Sequence, residues 1–297
     1  MQALPFIQVD AFTRIAFGGN PCAVVFDADD LSDDTMQKIA REMNLSETAF
    51  VMDSLSADFR ARYFTPAEEI PMAGHPTIAT IYGLLSTQRL RRQGDWQRVM
   101  LELPAGVVGV EISGAPGSNP LIEMNQLRPE FLREYEPSDV CDVFGIEPTD
   151  LLPDMPLVTV STGTPQLMIP VRDLDVLHRM YVDTRRFAEL REFGDFFSAH
   201  LFTPHGVTEA GDTFARHFGV PPDLREDPFT GSATGGMAAY LWRHELLDQP
   251  RFIAEQGHWM ERPGEASVEV VGERHDIQSV RVGGHAVEVM EGMIVVP

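Results

Sequence analysis

Two short stretches of this chain carry the same arrangement of residues suited to holding an anion. Glu69-Ile70-Pro71-Met72-Ala73-Gly74-His75 and Glu226-Asp227-Pro228-Phe229-Thr230-Gly231-Ser232 both read Glu-x-Pro-x-x-Gly-[His/Ser]. Each leads into a run of small and apolar residues, Pro76 to Leu85 and Ala233 to Trp242, with almost no polar face. Such a run is the mark of a helix enclosed on all sides. The first backbone N–H groups of a helix have no partner within it, and they bind a carboxylate or an enolate oxygen readily. Gly74 and Gly231 with their neighbours are therefore candidate anion binders. His75 titrates near neutral pH and suits proton transfer or substrate binding. Ser232 offers a hydroxyl, and Asp227 is either a capping residue or a carboxylate that orients a ligand. One motif occurring twice, each time ahead of the most apolar helix of its half, points to duplication. If the halves face each other, the two helix starts converge on one cleft.

Glu47 lies in Asn44-Leu45-Ser46-Glu47-Thr48-Ala49-Phe50-Val51, between a helix and a strand. A carboxylate at such a junction serves as an edge residue, a cap or a base, and the segment alone favours a structural role. Other chemistries find little support. The sequence has no Gly-x-Gly-x-x-Gly after a strand and no Gly-Lys-[Ser/Thr] phosphate loop. Gly231-Ser232-Ala233 lacks the second glycine of a nucleophile elbow. His244-Glu245 has Asp248 where a zinc-binding His-Glu-x-x-His needs histidine, so no metal site is expected. Cys22 and Cys141 read as small core residues rather than nucleophiles.

The elements that must position these groups are visible as patterns. Alternating segments predict strands at 6–10, 23–26, 60–64, 99–103 and 107–112, and again at 157–161, 166–171, 267–271, 277–282 and 285–290. A helix begins at Ser32 as N-cap, has Asp33 and Asp34 in its first turn, and turns Met36, Ile39, Ala40 and Met43 to one face. Further helices are expected near 184–193 and 233–247. The tract Ser113 to Pro120 is rich in turn formers. It predicts a boundary between a first half, 1–117, and a second, 118–297, with the last strand able to cross back.

The 297 residues carry a formal net charge of −22. A surface of that sign repels phosphate backbones and anionic lipid, so nucleic acid and membrane are not expected as partners. Two cysteines make no disulfide framework. The N-terminus lacks the basic region of a signal peptide, and no apolar run approaches the ~20 residues that cross a bilayer. A cytoplasmic location is the expectation.

Four blocks in order give the chain a close resemblance to the PhzF family, named for the phenazine biosynthesis isomerase. They are Val9-Asp10-Ala11-Phe12 with Gly19-Asn20-Pro21; Ile39 to Thr48; Phe64-Thr65-Pro66 through Glu69-Ile70-Pro71 to Gly74-His75-Pro76-Thr77; and Glu226 to Ala233. The resemblance implies an α+β, diaminopimelate-epimerase-like fold: two similar domains, each a curved sheet around a central buried helix, with the active site between them. It also implies a homodimer and catalysis without metal or organic cofactor. The family's catalytic glutamate falls on Glu47 and its supporting residues on His75, Asp227 and Ser232. Gly74 and Gly231 fall on the backbone donors, and Asn20 is expected with the substrate-binding residues. The related epimerases and racemases use a cysteine in each domain at the positions of His75 and Ser232, and neither is cysteine here.

The expected reaction is thus a proton moved on a small carboxylate-bearing metabolite, with Glu47 as acid and base. Such a group works best when burial raises its carboxyl toward neutrality. A racemase or epimerase acting at one stereocentre, and a non-catalytic metabolite-binding protein on the same scaffold, are the alternatives. The segment Gly219 to Arg225 ahead of the second motif is longer than the family's usual link, and a place over the cleft mouth would alter substrate preference.

Overall fold

A computed structural model of the chain describes residues 2–220 and 226–296. The chain divides into two compact units, Met1–Met124 with Gly283–Pro297, and Asn125–Val282. In chain order the elements are β1 (Gln2–Ala11), β2 (Asn20–Val25), α1 (Asp33–Met43), β3 (Glu47–Met52), β4 (Phe59–Phe64), β5 (Glu69–Ile70), α2 (Gly74–Ser86), β6 (Trp96–Leu103) and β7 (Gly106–Ser113). There follow β8 (Leu121–Gln126), β9 (Glu130–Tyr135), α3 (Pro137–Phe144), β10 (Leu157–Ser161), β11 (Pro165–Pro170), α4 (Leu174–Arg179), α5 (Thr184–Phe193), β12 (Ser198–Thr203) and β13 (Thr213–Phe218). The chain closes with α6 (Gly231–Arg243), β14 (Arg251–Gln256), β15 (Gly264–Glu273), β16 (Asp276–Gly284) and β17 (Ala286–Val296).

In the first unit, β1 pairs antiparallel with both β17 and β2, β2 runs parallel to β3, β3 antiparallel to β4, β4 parallel to β6, and β6 antiparallel to β7. These strands bend around α2, which packs against β1, β2, β3 and β17. The helix has no polar face because it needs none. Ile78, Ile81 and Leu84 are at most 1% exposed, and each contributes about 1.5–3 kcal/mol by leaving water. A second core lies under α1, where Met36, Ile39 and Ala40 meet Phe50 and Phe64, whose rings pack edge to face at 5.4 Å. Ser32 caps α1 by accepting from Thr35 N–H, as the sequence predicts.

The second unit repeats this order. β9 pairs antiparallel with β10, β10 with β11, β11 runs parallel to β12, β12 antiparallel to β13, β13 parallel to β14, and β14 antiparallel to β15. From β1 and from β10 onward, the sequence of parallel and antiparallel pairings is the same. α6 takes the place of α2, has the same length of 13 residues, and packs against β10, β11, β12 and β15. Helices α3, α4 and α5 cover a separate core of the second unit built on Phe144, Phe187, Leu201 and Phe214.

The boundary lies elsewhere than the turn formers suggest. Residues 114–120 connect β7 to β8, which pair antiparallel from Ser113 with Leu121 to Val110 with Met124. The tract is a hairpin loop inside the first unit, and the division falls after Met124. The stretch after residue 282 belongs to the first unit, where β17 lies along β1. Of the 219–225 segment, residues 221–225 are outside the described residues. Among the described residues no helix is long and apolar enough to cross a membrane.

Candidate active site

Glu47 opens β3. Helix α1 ends at Asn44, whose left-handed backbone (φ 51°) lets its N–H bond to Ala40 O, a conformation Asn tolerates better than most residues. Two residues then bring the chain back into β3 beside β2, in a register that pairs Glu47 with Cys22. Cys22 is fully buried, and burial first, with the Glu47 carboxylate second, pushes its thiol well up. A thiol so disposed is inert core, as the sequence suggests.

His75 stands in the first turn of α2, 5% exposed. Its Nε2 lies 3.2 Å from Glu47 Oε2, without the alignment of a hydrogen bond. Burial pushes the imidazole down to about 3, so at neutral pH the ring is neutral and the contact is not an ion pair. The other ring nitrogen, Nδ1, is 3.2 Å from Asn20 Nδ2, and Ser46 Oγ donates to Asn20 Oδ1 at 3.2 Å. Asn20, expected against the substrate, is fully buried, with its amide between His75 and Ser46. The reason is its place at the start of β2, where Gly19 turns the chain with φ +51° and its missing side chain leaves room for Ala11 O.

In the second unit, Asp227 is half-buried and tied on all sides. Its N–H donates to His217 O at 3.0 Å, Thr230 Oγ1 donates to its carboxylate, and Gln256 Nε2 donates to its carbonyl at 2.7 Å. Ser232 Oγ accepts from Gln166 Nε2 at 2.9 Å. Gly231 O accepts from Gln126 Nε2 at 2.7 Å, and Gln126 Oε1 in turn accepts from Thr162. Neither α2 nor α6 has a side-chain cap, so the first-turn N–H groups beside Gly74 and Gly231 are free of that competitor.

The duplicated motif has a structural reason for its leading glutamate. Arg62 holds Glu69 through two parallel bonds of 2.7 and 2.6 Å, and Arg216 holds Glu226 through two of 2.8 Å. Each guanidinium also lies over a phenylalanine two residues on, Phe64 at 5.2 Å and Phe218 at 5.0 Å. Tyr63 pairs with Ile70 as His217 pairs with Asp227. The repeat thus extends to Ala61-Arg62-Tyr63-Phe64 and Ala215-Arg216-His217-Phe218, and to Gly19-Asn20-Pro21 and Gly163-Thr164-Pro165. These matches were the available signal for Gln166 and Ser198, which sequence reasoning missed. The register pairs Gln166 with Ser198 where it pairs Cys22 with Glu47.

A family model described as phenazine biosynthesis-like protein (PhzC-PhzF) matches residues 9–292. The chain belongs to this family. Its fold is accordingly the diaminopimelate-epimerase-like α+β fold expected from the sequence. The chain is 34% identical over 272 residues to an uncharacterised isomerase of Bacillus subtilis, YfhB, covering 91% of this chain and 92% of the relative. It is 31% identical over 293 residues to the trans-2,3-dihydro-3-hydroxyanthranilate isomerase of Pseudomonas fluorescens, covering 98% and 99%. A crystal structure of a PhzF-family phenazine biosynthesis protein from Bacillus anthracis superposes with a TM-score of 0.89 at 32% identity, over 100% of both chains. This PhzF-family chain is an isomerase.

Proposed function

We propose that this isomerase moves a proton between two positions of a small carboxylate-bearing metabolite, with Glu47 taking the proton and returning it. The observation that carries this reading is the asymmetry between the two matching units. Where β3 begins with Glu47, the register-matched start of β12 is Ser198. Where α2 begins with Gly74-His75, α6 begins with Gly231-Ser232. One unit thus carries a carboxylate at that position and the other does not, and neither helix start offers a thiol. A single base can lift a proton from one carbon and deliver it to another on the same face. Inversion of a stereocentre needs a second acid on the opposite face.

In this reading the N–H groups beside Gly74 and Gly231 hold a carboxylate or the oxygen that gains charge during the reaction. Asp227 orients an amino or hydroxyl group, and His75 and Ser232 bond to the polar edge of the substrate. The Pseudomonas relative is named for trans-2,3-dihydro-3-hydroxyanthranilate. A cyclic acid of that kind, with carboxylate, amine and hydroxyl on neighbouring carbons, suits this set of donors and acceptors. A homodimer in the cytoplasm, acting without metal or organic cofactor, completes the proposal.

The test is turnover in deuterated water, on trans-2,3-dihydro-3-hydroxyanthranilate and related cyclic amino and hydroxy acids. Deuterium is expected at a carbon other than the one that lost hydrogen, and Glu47→Gln, which keeps the shape without the base, is expected to lose roughly 10²–10⁴-fold in rate. Deuterium at one stereocentre with inversion, or full turnover by the variant, would sink the assignment.

A further inference from the structure

We propose that Asn20 is a positioning residue whose side-chain amide fixes the tautomer of His75, placing the ring proton on Nε2 beside Glu47. The geometry of three contacts carries this. Asn20 Oδ1 lies 3.2 Å from Ser46 Oγ, and Asn20 Nδ2 lies 3.2 Å from His75 Nδ1. A carbonyl oxygen only accepts and an amide NH₂ only donates. With Ser46 donating to Oδ1, the NH₂ group faces the ring, and Nδ1 must be the nitrogen with the lone pair. A neutral imidazole has one N–H, so it sits on Nε2, 3.2 Å from Glu47 Oε2.

The opposite amide orientation fails on electrostatic grounds. It would turn Oδ1 toward the ring, draw the proton to Nδ1, and leave the Nε2 lone pair facing the Glu47 carboxylate. Two electron-rich atoms would then meet at 3.2 Å in a place where His75 is 5% exposed and Asn20 not exposed at all, with little water to screen them. The arrangement in the structure sets a positive edge against a negative one. Asn20 lies on β2, paired with β1 on one side and β3 on the other, and is fully buried, so its amide has a fixed direction and bears on the site through His75. The consequence for chemistry rests on the reading of Glu47 as the base. An Nε2–H on that side means the ring presents a donor and not a lone pair to Glu47, so it does not compete for the proton that Glu47 takes.

The tautomer is measurable with no substrate present, so the outcome is independent of whether Glu47 is the base. Protein labelled with ¹⁵N in histidine is examined at pH 7.5 by correlating ring nitrogens with ring carbon-bound protons, His75 being assigned by its absence from His75→Gln. The expected spectrum has a pyridine-like Nδ1 and a pyrrole-like Nε2. In Asn20→Asp the carboxylate accepts instead of donating, and Nδ1 is expected to become pyrrole-like. In Ser46→Ala, which removes one of the two groups that hold the amide's direction and disturbs a less buried position, a minor Nδ1–H population is expected beside the Nε2–H form that the Glu47 side still favours. A pyrrole-like Nδ1 in the unmodified protein overturns the proposal. So does an unchanged His75 spectrum in Ser46→Ala, or in Asn20→Asp where that variant folds.

Discussion

Gln166 stands directly behind Ser232, its Nε2 donating to the serine oxygen over 2.9 Å. The hydroxyl accepts on that side, so its own proton is turned away from the amide and is available as a donor. Gln166 is 2% exposed, and its Oε1 has no hydrogen-bond partner among the described residues. Replacing it by Leu removes the positioning bond and the unsatisfied oxygen together. Gln166→Leu is therefore expected to leave thermal stability within about 1 kcal/mol of the parent. KM for the substrate found by isotope exchange should rise by roughly three- to tenfold, the worth of about one hydrogen bond, with kcat less affected. Steady-state kinetics beside a thermal melt separates the two effects.

The start of α6 is held by an amide that leaves no space for a methyl group. A Cβ on Gly235 would come within 1.8 Å of Gln126 Oε1, and Gln126 is fixed by its bonds to Gly231 O and Thr162. Gly235→Ala is expected to destabilise the protein by about 1–3 kcal/mol despite the better helix propensity of Ala. Urea unfolding measures this. An unchanged midpoint would show that Gln126 moves freely.

The two Arg–Glu clasps should respond alike to the same change. Lysine keeps the charge of Arg216 but not the planar fork that bonds Glu226 twice and covers Phe218. With the two side chains 17% and 22% exposed, solvent screens part of the interaction. Arg216→Lys and Arg62→Lys are each expected to cost about 1 kcal/mol in urea unfolding, at this level of exposure.

Acid should weaken the second unit through its buried histidines. His217 Nδ1 and His200 Nδ1 face each other at 3.3 Å, and burial pushes His217 down to about 3; His200 is lowered by burial first and by His217 second. In the unfolded chain a histidine takes up its proton near pH 6.5. Below that value the unfolded state binds the proton and the folded state does not. The stability these groups confer is thus complete above about pH 6.5 and is lost as pH falls toward about 3. The expected slope is up to ~1.4 kcal/mol per pH unit for each buried histidine. Unfolding midpoints across this range should show a smaller slope in His217→Asn.

Local signals were legible where one residue or one period suffices. Ser32 as a cap and the apolar stripe of Met36, Ile39 and Ala40 give α1 directly. The all-apolar runs after Gly74 and Gly231 give the two enclosed helices. Strand β12 is different: all six of its residues are buried, so it has no alternation to read, and length alone does not separate such a run from a helix. The candidate site divides in the same way. His75 is chemically conspicuous and Glu47 is marked out by the family resemblance and not by its own segment, whereas the roles of Asn20 and Gln166 depend on how completely tertiary contacts enclose them. The turn formers of 113–120 were visible, but a hairpin loop and a domain boundary use the same residues.

The pairing of β17 along β1, from Ala286 opposite Ala11 to Val296 opposite Gln2, has a consequence for synthesis. The second unit, Asn125–Val282, is one continuous stretch, complete before β17 leaves the ribosome. The first unit lacks a flanking strand of its sheet until residues 286–296 have emerged. Domains generally fold from the N-terminus as they are made, and this topology reverses that order. A ribosome halted ahead of β17 is expected to display a folded second unit and an open first one, so the strand that carries Glu47 reaches its final surroundings last.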